Sequence, residues 1–155
     1  MRIRLLAVGA KPPRWAEAAF REYSRRLPAA LKLEAPLIGL SRGHEQDRRR
    51  AREEEGQRLL GRIGRGDRVV ALDGQGEAWS TEEWARRLAG WQAAGDDLSL
   101  LVGGPDGLAP SCLERADLRW SISALTLPHA LVRVLVAEQL YRAVSLNANH
   151  PYHRA

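Results

Sequence analysis

Apolar residues along this chain fall into two rhythms. Compact β-type runs occur at 3–8 (IRLLAV), 68–72 (RVVAL) and 98–102 (LSLLV), and each predicts a buried strand. Residues 31–40 (LKLEAPLIGL) alternate apolar and polar up to Pro36, which predicts a strand interrupted or delayed by the proline. Helical spacing fills the gaps. A helix is expected over 14–27, with Trp15, Ala19, Phe20, Tyr23 and Leu27 on one side and Pro28 as its stop. A charged helix over 45–63 sets RRRARE beside EEE, placing opposite charges three and four residues apart. Its apolar content is thin until Leu59, Leu60 and Ile63, so its first turns should be exposed. Residues 73–77 (DGQGE) read as a turn-rich loop. Ser80-Thr81-Glu82-Glu83 is a capping box opening a helix to about Ala94, with Trp84, Leu88 and Trp91 inward. A short helix over 110–117 leads to a last strand near Trp120.

The stretch from Trp120 to Arg142 (WSISALTLPHALVRVLVAEQLYR) organises the rest. A short β-type run enters a loop of Ser123, Ala124, Leu125, Thr126, Leu127 and Pro128. Pro128 suits a helix start, where its missing N–H has no consequence. The helix that follows is apolar around most of its circumference, interrupted only by Arg133, Glu138, Gln139 and Arg142, so it must be covered on more than one side. A partner subunit is the simplest cover. Strands alternating with helices predict βαβ units around a mainly parallel sheet, an α/β fold. With no linker, repeat or low-complexity tract, 1–155 is expected to be one domain.

Composition changes this picture in two places. The single cysteine, Cys112, excludes an internal disulfide and fits a reducing compartment. The first strand is too short and too charged (Arg2, Arg4) for a signal peptide, and no run approaches a membrane span, so a cytoplasmic protein is expected. The net charge of +5 is uneven: residues 1–68 hold 17 Lys+Arg against 9 Asp+Glu, and residues 69–155 hold 7 against 10. A basic first half favours a polyanion such as nucleic acid, although solvated helix faces explain much of it.

Three segments after strands carry the candidate chemistry: Leu72-Asp73-Gly74, Val102-Gly103-Gly104-Pro105-Asp106-Gly107, and 123–128. In open α/β sheets the ligand crevice lies where strands hand over to helices. GGPDG serves equally as a tight turn or as a wall that lets a ligand approach backbone. It is neither G-x-G-x-x-G nor a P-loop, which disfavours a phosphate-cradling nucleotide enzyme. His129 reads as a base or substrate contact, or as a polar group satisfying the helix end. His150 and His153 lack a third ligand, which argues against metal. The tail's Tyr152, His153 and Arg154 suit stacking and phosphate contact. Cys112 has no neighbouring histidine and reads as a structural thiol.

LLVGGPDGL, WSISALTLPHALVRVLVAEQLYRA and the terminal NHPYHR resemble the RlmH family of bacterial ribosomal RNA methyltransferases, in the SPOUT superfamily. AVGAKPP, EYSRRLP and LDGQGEAWS extend the resemblance over the whole chain. It implies helices on both faces of the sheet, a deep C-terminal trefoil knot and a homodimer whose interface covers the apolar helix. It further implies S-adenosylmethionine as cofactor, held by Leu72, Asp73, Gly103, Gly104, Pro105 and 123–128, and methylation of pseudouridine N3 in large-subunit (23S) ribosomal RNA. His129 and His153 would be bases, from opposite subunits; Arg142 and Arg154 would hold phosphate or the uracil oxyanion, with Tyr152 on the substrate. No metal or membrane is expected. The alternatives are a transfer-RNA methyltransferase of the same fold and a non-enzymatic ribosome-binding factor.

Overall fold

Both faces of β1 (Arg2–Val8) are buried: Ile3, Leu5 and Ala7 join one core, Leu6 and Val8 the other. Two-sided burial belongs to an inner strand of a parallel sheet. The computed structural model describes residues 1–42 and 47–154, the side chain of His153 excepted. Five strands lie in the order β2 (Lys32–Glu34), β1, β5 (Leu98–Val102), β4 (Arg68–Ala78) and β6 (Leu118–Ser121), all parallel. β3 (Leu37–Ile38) pairs with β1 beyond the end of β2. The expected interruption in 31–40 is therefore real: Pro36 separates two short runs on one edge.

Helices cover both faces. On one, Trp84, Leu88 and Trp91 of α3 (Thr81–Ala94) and Val136, Leu140 and Ala143 of α5 (His129–Asn147) meet the sheet, with α1 (Arg14–Ser24) beside α5. Trp79, Trp120, Trp84 and Trp91 form a chain of rings here, with successive centroids 5.4, 5.0 and 5.9 Å apart. On the other face, Leu59 of α2 (Arg48–Leu60) packs with Ala109 and with Cys112 of α4 (Pro110–Arg115). The exposed first turn of α2 agrees with its thin apolar content, and the Asp47 carboxylate caps it by accepting from the Arg50 N–H at 3.0 Å. The expected start of that helix at 45–46 lies outside the described residues.

Several expectations need correction. α1 stops at Ser24; Ala16 is its buried residue, Phe20 packs partly buried against the core as expected, and Trp15 is 56% exposed. α2 ends at Leu60 and α4 at Arg115, each a little early. The expected loop 73–77 is an excursion within β4. Trp120 pairs with both Leu72 and Glu77, so the intervening residues bulge out before the strand resumes. Gly76 permits this, since a Cβ there would stand 2.7 Å from the Arg119 carbonyl carbon. Finally, α5 finds much of its cover inside the chain, on α1 and α3.

The strands begin in a repeated way. Asp67, Asp97 and Asp117 each directly precede a strand. The Asp67 carboxylate accepts from Arg4 at 2.5 Å, Ser99 at 2.6 Å and the Gly64 N–H at 3.0 Å. Asp97 accepts from the Arg2 N–H at 2.7 Å, and Asp117 from the Val69 N–H at 2.8 Å. Each carboxylate thereby ties a neighbouring strand to its own.

Candidate active site

At the opposite end of the sheet, β4, β5 and β6 open into a cleft of about 470 Å³. Leu72 and Asp73 line it from β4, Ser123 to Leu127 from the loop after β6, and His129 and Val132 from α5. Trp120, Gln75, Val102 and Gly107 complete the wall. Val102 and Gly107 are the two ends of the predicted 102–107 segment, whereas Trp120 and Gln75 lay outside the three candidate segments.

Each wall has a local cause. Asp73 Oδ1 accepts from the Gln75 N–H at 3.1 Å, an Asx-type turn that starts the β4 excursion. Ser123 Oγ accepts from the Leu125 N–H at 2.9 Å, and Ser121 Oγ donates to the Ser123 carbonyl at 3.2 Å. Beyond these contacts, the backbone groups of 123–127 pair with no other backbone group among the described residues. Thr126 and Leu125 are exposed, the latter by 75%. Amide and carbonyl groups in this state bond water unless a ligand takes them.

Gly103, Gly104 and Pro105 stand behind the cleft and do not line it. The Gly107 N–H donates to the Gly104 carbonyl at 3.0 Å, with Gly107 at φ 80°, so GGPDG is a tight turn and also contributes Gly107 to the wall. Gly103 is buried, and a Cβ on it would lie 2.4 Å from the Gly107 carbonyl carbon. Pro128 caps the entry to α5 with extended backbone and also lies outside the lining.

His129 Nδ1 stands 3.0 Å from the Val8 carbonyl, which can only accept. The neutral ring therefore carries its hydrogen on Nδ1 and its lone pair on Nε2. The ring ties the helix start to β1 and borders the cleft; it caps no helix N–H.

Arg142 and Tyr152 form a separate group. Ten residues of helix, roughly 15 Å along its axis, separate Arg142 from Val132 in the cleft. Glu138 joins the pair: its Oε1 accepts from Arg142 at 2.6 Å and from the Tyr152 hydroxyl at 3.1 Å. The Arg142 guanidinium lies 4.9 Å from the Tyr152 ring centre, and Tyr141 packs on the same ring at 4.5 Å. Burial, with Tyr23 and Glu138 beside it, pushes the Tyr152 phenol well above its usual range, whereas Glu138 raises Arg142 further. Glu138 was missed from sequence; its spacing of four from Arg142 was the available signal. Arg154 is exposed, its N–H donating to Pro151. The His153 side chain lies outside the described residues. Among the described residues no three His, Cys, Asp or Glu converge as metal ligands, and no helix is long and apolar enough to cross a membrane.

Cys112 is fully buried, its thiol 3.5 Å from the Gly56 carbonyl, and burial pushes its pKa to about 11. That thiol is structural.

Known proteins resemble this chain. A protein from Alkalilimnicola ehrlichii named Ribosomal RNA large subunit methyltransferase H is 58% identical over 156 residues, covering 100% of both chains. A solved structure of a probable methylase family protein from Haemophilus influenzae Rd KW20 superposes with a TM-score of 0.55 at 15% identity. It covers 96% of this chain and 67% of that one, a likeness of fold alone. The family model described as Predicted SPOUT methyltransferase matches residues 1–153, and this chain belongs to that family.

Proposed function

We propose that this chain is a single-domain, S-adenosylmethionine-dependent methyltransferase that modifies N3 of a pseudouridine in large-subunit ribosomal RNA. The carrying observation is the cleft whose walls include Leu72, Asp73 and the backbone-rich loop 123–127. Family membership and the full-length relative's name support the same reading. The residues fit the methyl donor. The amides and carbonyls of 123–127 that lack backbone partners suit the edge of an adenine ring, Leu72 and Val132 its faces, and the Asp73 carboxylate suits ribose hydroxyls. Gly103, Gly104 and Pro105 hold the turn that keeps the cleft its shape, and Pro128 fixes where loop becomes helix. We take 103–128 to be wound into the family's trefoil knot. When bound, the donor supplies a methyl group already activated on a sulfonium.

The chain's own work is then positioning and proton removal. An imide N3–H must lose its proton as the nitrogen attacks. His129 is suited to take it, because its hydrogen is committed to the Val8 carbonyl and its Nε2 lone pair is free. Arg142 and Arg154 would hold phosphate or the uracil oxyanion, with Tyr152 stacking and His153 as second base. Within one chain Arg142 lies too far along α5 to reach the cleft, so the site is composite. A second subunit supplies the tail, and Leu131, 38% exposed on α5, belongs to the covering surface.

Calorimetry with S-adenosylmethionine, followed by labelled methyl transfer to large subunits, small subunits and transfer RNA, tests the activity. Transfer to the large subunit alone is expected; no binding of the donor, or transfer RNA as the acceptor, overturns the reading. Mixing inactive His129→Ala and Arg142→Ala chains tests the composite site. Heterodimers then hold one intact site and should regain activity; no recovery places both residues in one subunit's site.

A further inference from the structure

Two further depressions adjoin the cleft, and shared residues join all three. His129 borders both the cleft and a cavity of about 140 Å³. Leu37 borders both that cavity and a surface groove of about 230 Å³. The three depressions thus lie in succession from the strand ends of β4 and β6, past β1, to the outer edge at β3.

Its charge is one-signed. The cavity carries Lys11 from the β1–α1 loop and Arg133 from α5; the groove carries Arg58 from α2 and Arg62 just beyond it. No Asp or Glu lines either depression. Elsewhere most arginines sit against carboxylates, as in Arg26 with Glu22, Arg87 with Glu83 and Arg68 with Asp96. Arg133 lies over Phe20 at 5.2 Å and reaches only the Ala35 carbonyl, at 3.5 Å. Glu17, the carboxylate that acts on Arg133, is paired with Arg21 at 3.5 Å. Arg58 donates to the Gly39 carbonyl at 2.8 Å. Burial lowers the Arg133 pKa, and Glu17 offsets that desolvation only in part.

We infer that a single strand of the acceptor RNA follows this path away from the cleft, its successive phosphodiesters held first by Lys11 with Arg133, then by Arg58 with Arg62. Two pairs of cations in succession along an open path match a repeated anion; a lone carboxylate would need one pair. Leu37, 47% exposed between the pairs, offers an apolar surface to a base. The inference rests on the RNA methyltransferase reading and names the surface that reading lacks.

The test measures binding of the full-length chain to purified large ribosomal subunits across a salt series. Lys11→Ala/Arg62→Ala is compared with Arg65→Ala, an exposed cation that lines neither depression. The double variant should lower the slope of log affinity against log salt by about 1 per cation removed, and weaken binding roughly tenfold or more at physiological salt. Arg65→Ala should leave the slope unchanged, and both should keep donor affinity and subunit mass. Three results overturn the path: a double variant that matches Arg65→Ala, loss of donor affinity (the cavity would then hold the donor's carboxylate), or dissociation into single chains (the cations would then serve the subunit contact). If the unsubstituted chain methylates large subunits and the double variant binds them equally well, only the path fails. If the unsubstituted chain neither binds nor methylates them, the functional reading fails with it.

Discussion

The two ends of the parallel sheet are built on opposite terms. Where strands begin, Asp67, Asp97 and Asp117 satisfy their neighbours' polar groups from within the chain. Asp67 is 5% exposed, and even its neighbour Gly64 is constrained, since a Cβ there would stand 2.4 Å from Arg4 Nη1. Where strands end, the backbone of 123–127 is left without backbone partners, and the walls mix apolar side chains with glycine and small polar residues. One end holds the layers together; the other keeps its hydrogen-bonding capacity for something outside the chain. Stability and recognition are thus separated by the length of a strand, and they should respond separately to substitution.

The strongest test of that separation is Asp67→Ala. It strands Arg4, Ser99 and the Gly64 N–H in a buried setting, and removal of one partner of such a pair costs about 3–5 kcal/mol. Thermal unfolding should shift down by ~10 °C, with donor affinity of the folded fraction unchanged. A parallel loss of donor binding would show that the two ends are not independent. Gly103→Ala should do the reverse. Its Cβ meets backbone of Gly107, so the turn must move; overpacking costs about 1–3 kcal/mol, and donor affinity measured by calorimetry should fall by roughly tenfold. Unchanged affinity would detach GGPDG from the cleft.

Tyr152→Phe removes the hydroxyl that donates to Glu138 and should cost about 1 kcal/mol in tail docking. It should slow methyl transfer while leaving donor affinity alone. Equal rates would exclude the tail from the reaction. The smallest effect concerns Cys112. With its pKa raised from 9.0 to about 11 by burial, the thiol should resist alkylation of the native chain at pH 8 and react once denatured. Because the folded pKa is the higher one, its contribution to stability is fully present below about pH 9 and is lost as pH rises toward 11, where the unfolded chain releases a proton that the folded chain keeps. Denaturant titrations at both pH values read this directly.

Much of the fold was legible because burial leaves a local trace. The runs at 3–8 and 98–102 are apolar on both faces and became inner strands; Ser80 opens α3 as its side chain predicts, accepting from the Glu83 N–H. The continuation of β4 was not legible. Asp-Gly-Gln-Gly is turn chemistry, and only the register shift against β6 turns it into an excursion that rejoins the strand. Asp67 was equally silent, since Gly-Arg-Gly-Asp looks like any surface turn and its partners lie 63 and 32 residues away. Trp15 misled for a related reason: helical spacing gives a face, not the neighbour that covers it. In the cleft, Leu72, Asp73 and 123–127 were found because ligand crevices of α/β sheets follow strand ends. The grouping of Arg142 with Tyr152 through Glu138 needed the tail to fold back onto α5, which no spacing encodes.

The row of four indoles has an optical consequence. Trp120 borders the cleft and is stacked on Trp79 and Trp84, which passes the contact on to Trp91. Excitation shared along such a row collects on the indole of lowest excitation energy, and a ring settling beside Trp120 changes the surroundings of a member of that row. Trp15, out in solvent, contributes a steady background. The molecule therefore carries its own fluorescent gauge of occupancy, readable by titration without any attached dye.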